Sequence, residues 1–190
     1  MKNQEAYVSV GIRTPFAKSM TYYNNVTTKE LMNSALQGLV DKYKFHGKVF
    51  GDVALGALMN SSTDWNLARE CVLESGLSPY TPGYNVQRAC GTSLETTWHL
   101  SMKIKAGQMA WGIAGGVDTN SDLPIIVSKK LQRILLELNS AKTLMQRLKV
   151  LSRFSFSALK PLSPGVAEPK TGLSMGEHCE KMVKEWKVSR

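Results

Sequence analysis

Residues 83–118 read GYNVQRACGTSLETTWHLSMKIKAGQMAWGIAGGVD. The first six, "GYNVQR", have the composition of a strand. The last ten, "MAWGIAGGVD" (109–118), are almost wholly apolar and read as a strand buried on both faces. Between them an amphipathic run from Thr92 ends at Gly107 and reads as a helix. Strand, helix and strand in succession point to a parallel sheet of the α/β class. The pattern extends upstream. "VALGALM" (53–59) is a short strand, and "AYVSVGI" (6–12) alternates as a strand that Pro15 of "RTPF" stops. Thr27–Glu30 fits a capping box, after which Leu31, Ala35, Leu36, Leu39 and Val40 share one helical face. Asp64 is placed to cap a helix carrying Trp65, Ala68, Cys71 and Val72, with Gly76 at its end.

Ligands of open α/β sheets sit beyond the carboxyl ends of the strands. Cys90 falls at such an end. Thr92 and Glu95 could form a second capping box and start the helix at Thr92, leaving Cys90 beside its unpaired N–H groups. Such groups carry partial positive charge, which favours a thiolate and can hold an oxyanion. Gly91 removes side-chain bulk beside the sulfur. Together these suit acyl transfer through a thioester. Free cysteine is also among the most buried residue types, so packing accounts for its position better than a nucleophile does on these grounds alone.

With 43% hydrophobic and 21% charged residues, the 190-residue chain has globular composition, and disorder is set aside. Its opening, with Glu5 and no apolar core, does not read as a leader peptide, and no apolar run reaches the ~20 residues of a membrane span. Cys71, Cys90 and Cys179 are too few and too scattered for a disulfide framework or a zinc site, so the reading is a cytoplasmic protein without a metal. Asp118 and Asp122 lack a third ligand nearby and read as a solvated loop. Gly115 and Gly116 read as close backbone packing beneath Cys90 rather than a phosphate loop.

The net charge of +9 is local: residues 129–160 hold eight basic side chains against Glu137 alone. That distribution argues against a nucleic-acid footprint, which spreads over a folded face or occupies a recognised motif. Here Leu131, Ile134, Leu135 and Leu138 form one stripe, and Leu144, Leu148 and Leu151 another, giving basic amphipathic helices suited to an anionic membrane surface or a partner subunit. "LKPLSPGVAEPKTG" (159–172) reads as an extended connection, and a last helix begins near Met175. A core over 1–121 and a further region over 122–190 follow.

The motifs "RTPF", "NVQRACGTSLETTWHL", "GGVDTNSDLP" and "VAEPKTGLSMGEHCEKMVKEW", in this order, resemble the N-terminal half of a thiolase, of the 3-ketoacyl-CoA thiolase (acetyl-CoA acyltransferase) type found in fatty-acid β-oxidation complexes. The resemblance implies a thiolase-like α/β fold with a mixed sheet, flanking helices and the start of an inserted loop domain over 122–190 on the coenzyme A side. It implies that Cys90 is the acylated nucleophile, that Met175 and Gly91 line the substrate and coenzyme A pocket, and that coenzyme A is a substrate, with no separate cofactor. It further implies a homodimer or larger homo-oligomer through the strand near Tyr84–Arg88. Thiolases also use a GHP-type histidine and a second cysteine in a Cys-x-Gly-Gly-Gly run, and neither motif occurs in these 190 residues. His46, His99 and His178 read as structural or solvated, Cys71 as core, and the adjacent His178–Cys179 cannot form a dyad because neighbours on a helix point about 100° apart. A non-catalytic module that keeps the dimer surface and basic insert is the alternative to an enzyme.

Overall fold

A computed structural model describes residues 5–162 and 165–189. The chain divides into two compact units, Met1–Leu123 and Pro124–Arg190, taken separately below.

In the first unit the order is α1 (Thr28–Tyr43), β1 (Val53–Leu55), α2 (Leu67–Glu74), β2 (Gly83–Asn85), α3 (Thr92–Lys105) and β3 (Ile113–Ala114). The strands lie in the order β2-β1-β3, and both pairings are parallel, with Val53 opposite Gly83 on one side and Ile113 on the other. All three residues of central β1 are buried, as expected of a strand covered on both faces. Leu31, Leu36 and Val40 of α1 join Ala68, Cys71 and Val72 of α2, with Val53 and Leu55, in one core. The Thr27–Glu30 capping box forms, with both reciprocal bonds. The short β-strands are tied on by polar side chains where the ladder gives out. Buried Asp52 accepts from Lys103 Nζ at 2.5 Å, linking the start of β1 to the last turn of α3.

Three local expectations are corrected. Ala6–Ile12 forms no strand: none of its backbone groups joins a ladder among the described residues, and Tyr7 and Val8 are exposed. It is separated from β3 by an open cleft of about 350 Å3 floored by Leu36, Leu39 and Leu100, so its β-forming side chains have no neighbouring strand to pair with. The sheet is accordingly parallel over the described residues rather than mixed. Asp64 does not cap α2; Asn66 does, accepting from the Arg69 N–H at 3.0 Å, and Trp65 lies outside the helix in solvent. At α3 the start at Thr92 is right but the capping box is absent. The cap position is Gly91, and Glu95 turns instead to Arg88 at 2.7 Å and His99 at 3.2 Å.

The second unit carries α4 (Lys129–Ser140), α5 (Leu144–Leu151), a short 3-10 turn (Phe156–Leu159) and α6 (Met175–Trp186). Ser128, Thr143 and Ser174 cap the three helices, the last two through full capping boxes. Of the expected apolar stripes only Ile134 is buried, together with Val150, while Leu135, Leu144 and Leu148 remain at least half exposed. The segment 159–172 is non-helical at its described residues after Leu159, and its residues 163–164 lie outside those described. No helix among the described residues is long and apolar enough to cross a membrane.

Candidate active site

Three loops leave the carboxyl ends of the parallel strands, and Cys90 sits in the one after β2. The turn is tightly wound. Gly91 N–H donates to the Arg88 carbonyl at 3.0 Å and Thr92 N–H to the Ala89 carbonyl at 3.2 Å. Thr92 Oγ1 donates to the Ala89 carbonyl at 2.8 Å and accepts from the Arg88 N–H at 2.9 Å. Thr92 is thus a buried clasp of the turn rather than a helix cap. Ala89 stands at φ 43°, the left-handed region that side chains other than glycine disfavour by roughly 1–2 kcal/mol. That strain one residue before the cysteine has no signal in the sequence.

Cys90 is exposed, whereas Cys71 is fully buried on α2. Burial first, and then nearby Glu74, push the Cys71 thiol up to about 12. Among the described residues its only hydrogen-bond contact is a long S–H donation to the Lys29 carbonyl at 3.9 Å, so it behaves as packing. Cys179 lies exposed in α6.

The N-cap residue of α3 is Gly91, which has no side chain to accept from the first-turn N–H groups. The N–H groups of Gly91 and Thr92, however, are already used within the turn, which narrows the oxyanion donors that sequence reasoning allowed. A Cβ on Gly91 would stand 3.4 Å from the Arg88 carbonyl oxygen, an ordinary contact, so packing within this chain does not demand a glycine there. Gly116 is different. A Cβ there would lie 2.9 Å from the Ser93 Cβ, which places the first turn of α3 directly on the backbone after β3, and Thr96 Oγ1 donates to the Gly115 carbonyl at 3.2 Å. Gly116 provides close packing against Ser93 in the first turn of α3, and Gly115 against Leu55 of β1.

Asp118 and Asp122 are not a free solvated pair. Asp118 Oδ1 accepts the Leu58 N–H at 2.6 Å, and Asp122 Oδ2 accepts the Thr28 N–H at 2.7 Å at the start of α1. Among the described residues no group of three or more His, Cys, Asp or Glu side chains could hold a metal. Each histidine has a partner of its own: His46 is 2.7 Å from Asp41, His99 3.2 Å from Glu95, and His178 2.9 Å from Thr171 Oγ1. Met175, the first residue of α6, is exposed and belongs to the second unit.

A parallel sheet with a cysteine in a strained turn between strand and helix defines an α/β protein with a candidate nucleophile. The comparisons give the family. The thiolase N-terminal domain model matches residues 6–190. The chain is 44% identical over 180 residues to a 3-ketoacyl-CoA thiolase of Photorhabdus laumondii, covering 95% of this chain and 41% of that one. It is 42% identical over 183 residues to a 3-ketoacyl-CoA thiolase of Vibrio cholerae, covering 96% and 42%. The fold is similar to that in a crystal structure of the Bacillus anthracis acetyl-CoA acetyltransferase, with a TM-score of 0.72 at 21% identity over 99% of this chain and 44% of that one. This chain belongs to the thiolase family. It spans about two-fifths of the length of the curated relatives it matches.

Proposed function

We propose that the chain is the N-terminal part of a thiolase-type acyltransferase in which Cys90 takes the acyl group from the carbon it is bonded to in a 3-ketoacyl-CoA and passes it to the thiol of free coenzyme A. The observation that supports this best is the exposed Cys90 in a strained turn at the carboxyl end of the parallel sheet, in a chain whose relatives bear the name 3-ketoacyl-CoA thiolase. The Cys90 thiolate attacks the keto carbonyl of a 3-ketoacyl-CoA. Collapse of the tetrahedral adduct breaks the carbon–carbon bond, leaves the acyl group on sulfur, and releases acetyl-CoA once its carbanion takes a proton. Free coenzyme A then attacks the thioester and restores the thiol. Run backwards, the same steps condense acetyl-CoA. Coenzyme A is a substrate throughout. The names of the relatives do not favour a non-catalytic module.

The test is Cys90→Ala in this chain completed with the C-terminal portion of a related thiolase. Loss of a nucleophile that acts as one unit with its base costs on the order of 10⁴-fold or more in turnover. Retention of thiolysis by the variant would remove Cys90 from the chemistry.

Several features support the rest of the reading. Among the described residues β2 (Gly83–Asn85) is an edge strand, which supports pairing of the strand near Tyr84–Arg88 with a second copy, up to the point where the Arg88 backbone turns into the Cys90 loop. The Tyr84 hydroxyl is buried with no partner among the described residues. Pro124–Arg190 supplies the start of the loop domain, with Met175 exposed for the pantetheine arm. We place the protein in fatty-acid β-oxidation in the cytoplasm. The basic helices α4 and α5, with Leu135, Leu136, Leu144 and Met145 exposed among lysines and arginines, suit an anionic surface, whether lipid or partner subunit. Co-sedimentation with anionic vesicles is expected at low salt and lost at high salt. Equal binding to neutral and anionic vesicles would contradict it.

A further inference from the structure

We propose that Gln87 and Asp118 are positioning residues for the Cys90 thiol, acting through the backbone of Leu58. The inference rests on the assignment of Cys90 as the nucleophile. Backbone pairing between the strands ends just short of the site. Val86 N–H donates to the Leu55 carbonyl at 2.9 Å, Val117 N–H donates to the Gly56 carbonyl at 3.0 Å, and Ala57 pairs with Val117. One residue further on, side chains take over. Gln87 Nε2 donates to the Leu58 carbonyl at 2.8 Å, and Leu58 N–H donates to Asp118 Oδ1 at 2.6 Å. Both polar groups of a single residue in the loop after β1 are thereby held from the two neighbouring loops, one on each side.

The consequence falls on Cys90. From Arg88 to Thr92 the described hydrogen bonds of the turn's backbone close upon the turn itself and the first turn of α3. Gln87, immediately before that closed turn, is the last residue tied across to the β1 loop. The Ala89 strain persists only where the surroundings over-determine it. On one side α3 is fixed, because its first turn lies against Gly116. On the other side the fixed point is Gln87, which is itself only as firm as Leu58, and Leu58 is anchored by Asp118. Releasing either bond lets Ala89 relax toward an unstrained conformation and carries Cys90 away from the N-terminus of α3. Gln87 Nε2 and Asp118 Oδ1 are both engaged by the Leu58 backbone, and through those bonds their part is placement.

The test uses the intact 190-residue chain and measures alkylation of each cysteine by iodoacetamide with peptide mass spectrometry, across a range of pH. In wild type Cys90 reacts faster than Cys179, and Cys71 is protected. Gln87→Met keeps the shape but removes the donor, and Asp118→Ala removes the acceptor. Gln87→Met should slow Cys90 by about fivefold, the rate equivalent of one neutral hydrogen bond, and Asp118→Ala by about tenfold or more, because its acceptor is a carboxylate, while Cys179 is unchanged in both. Asp118→Asn keeps a carbonyl acceptor and should restore the wild-type Cys90 rate and its pH profile. Protection of Cys71 certifies that a variant is folded, and the isosteric Gln87→Met and Asp118→Asn carry the test if Asp118→Ala is not. Cys90 rates and profiles unchanged in Gln87→Met and Asp118→Ala, or slowing shared equally by Cys179, would overturn the positioning role while leaving Cys90 the fastest thiol. A wild-type Cys90 no faster than Cys179 would instead overturn the reading of Cys90 on which the role depends.

Discussion

The polypeptide of residues 1–190, assayed alone, should cleave acetoacetyl-CoA at least about 10⁴-fold more slowly than the same polypeptide supplied with the C-terminal portion of a related thiolase. Thiolysis needs a group to take the proton of the attacking thiol and another to exchange a proton with the substrate carbon. Each acid–base role is worth about 10²–10⁴ in rate, so two missing roles multiply. The structure provides no such group beside Cys90 among the described residues. His46 pairs with Asp41 in the loop after α1, His99 faces Glu95 and stacks on Tyr84, and His178 bonds Thr171 in the second unit. Cys71, with its thiol pushed up to about 12 and no exposure, cannot act as a proton carrier at neutral pH. The disappearance of acetoacetyl-CoA in the presence of free coenzyme A, followed in the two preparations at equal concentration, gives the comparison. Comparable rates would show that the acid–base groups lie within these 190 residues after all.

The second large effect is structural. Gly56→Ala should destabilise the first unit by roughly 3 kcal/mol or more, at the upper end of what overpacking a core costs. A Cβ on Gly56 would fall 1.8 Å from the Val86 carbonyl oxygen and 2.7 Å from Thr92 Cγ2. The first of these is backbone and cannot swing aside. The only relief is to move the end of β2 away from β1, which breaks the Val86–Leu55 hydrogen bond and drags the turn that holds Cys90. Thermal unfolding followed by circular dichroism measures the loss. A variant as stable as wild type would mean that the ends of β1 and β2 leave room for a methyl group at Gly56.

How much of this was legible in the sequence varies with the length over which each signal acts. The parallel α/β class, α1 with its capping box and the burial of Cys71 all follow from periodicities of many residues or from a motif closed within four, whereas α3 starts at Thr92 without the capping box that marks that start in the sequence. Ala6–Ile12 shows the limit. Its alternation is that of a strand, but a strand exists only with a neighbour, and none pairs with it among the described residues. At α2 and α3 the residue chemistry offered two plausible caps, and tertiary contacts chose otherwise: Asn66 also donates to the Gly83 carbonyl at 3.1 Å, and Glu95 is drawn to Arg88. Cys90 stood out in the sequence because a strand, a small-residue turn and a helix meet there. Gln87 and Asp118 did not, because their roles depend on Leu58, dozens of residues away along the chain in both cases and adjacent only in the fold.

The claim on which the account depends is that Cys90 itself takes the acyl group. The direct measurement is to incubate the chain, completed with the C-terminal portion of a related thiolase, with acetyl-CoA, quench in acid, and locate the acetyl group by peptide mass spectrometry. The account predicts acetylation on the peptide bearing Cys90, removed by added coenzyme A and absent in Cys90→Ala. Acetyl groups on Cys71 or Cys179 that coenzyme A removes, with none on Cys90, would contradict it.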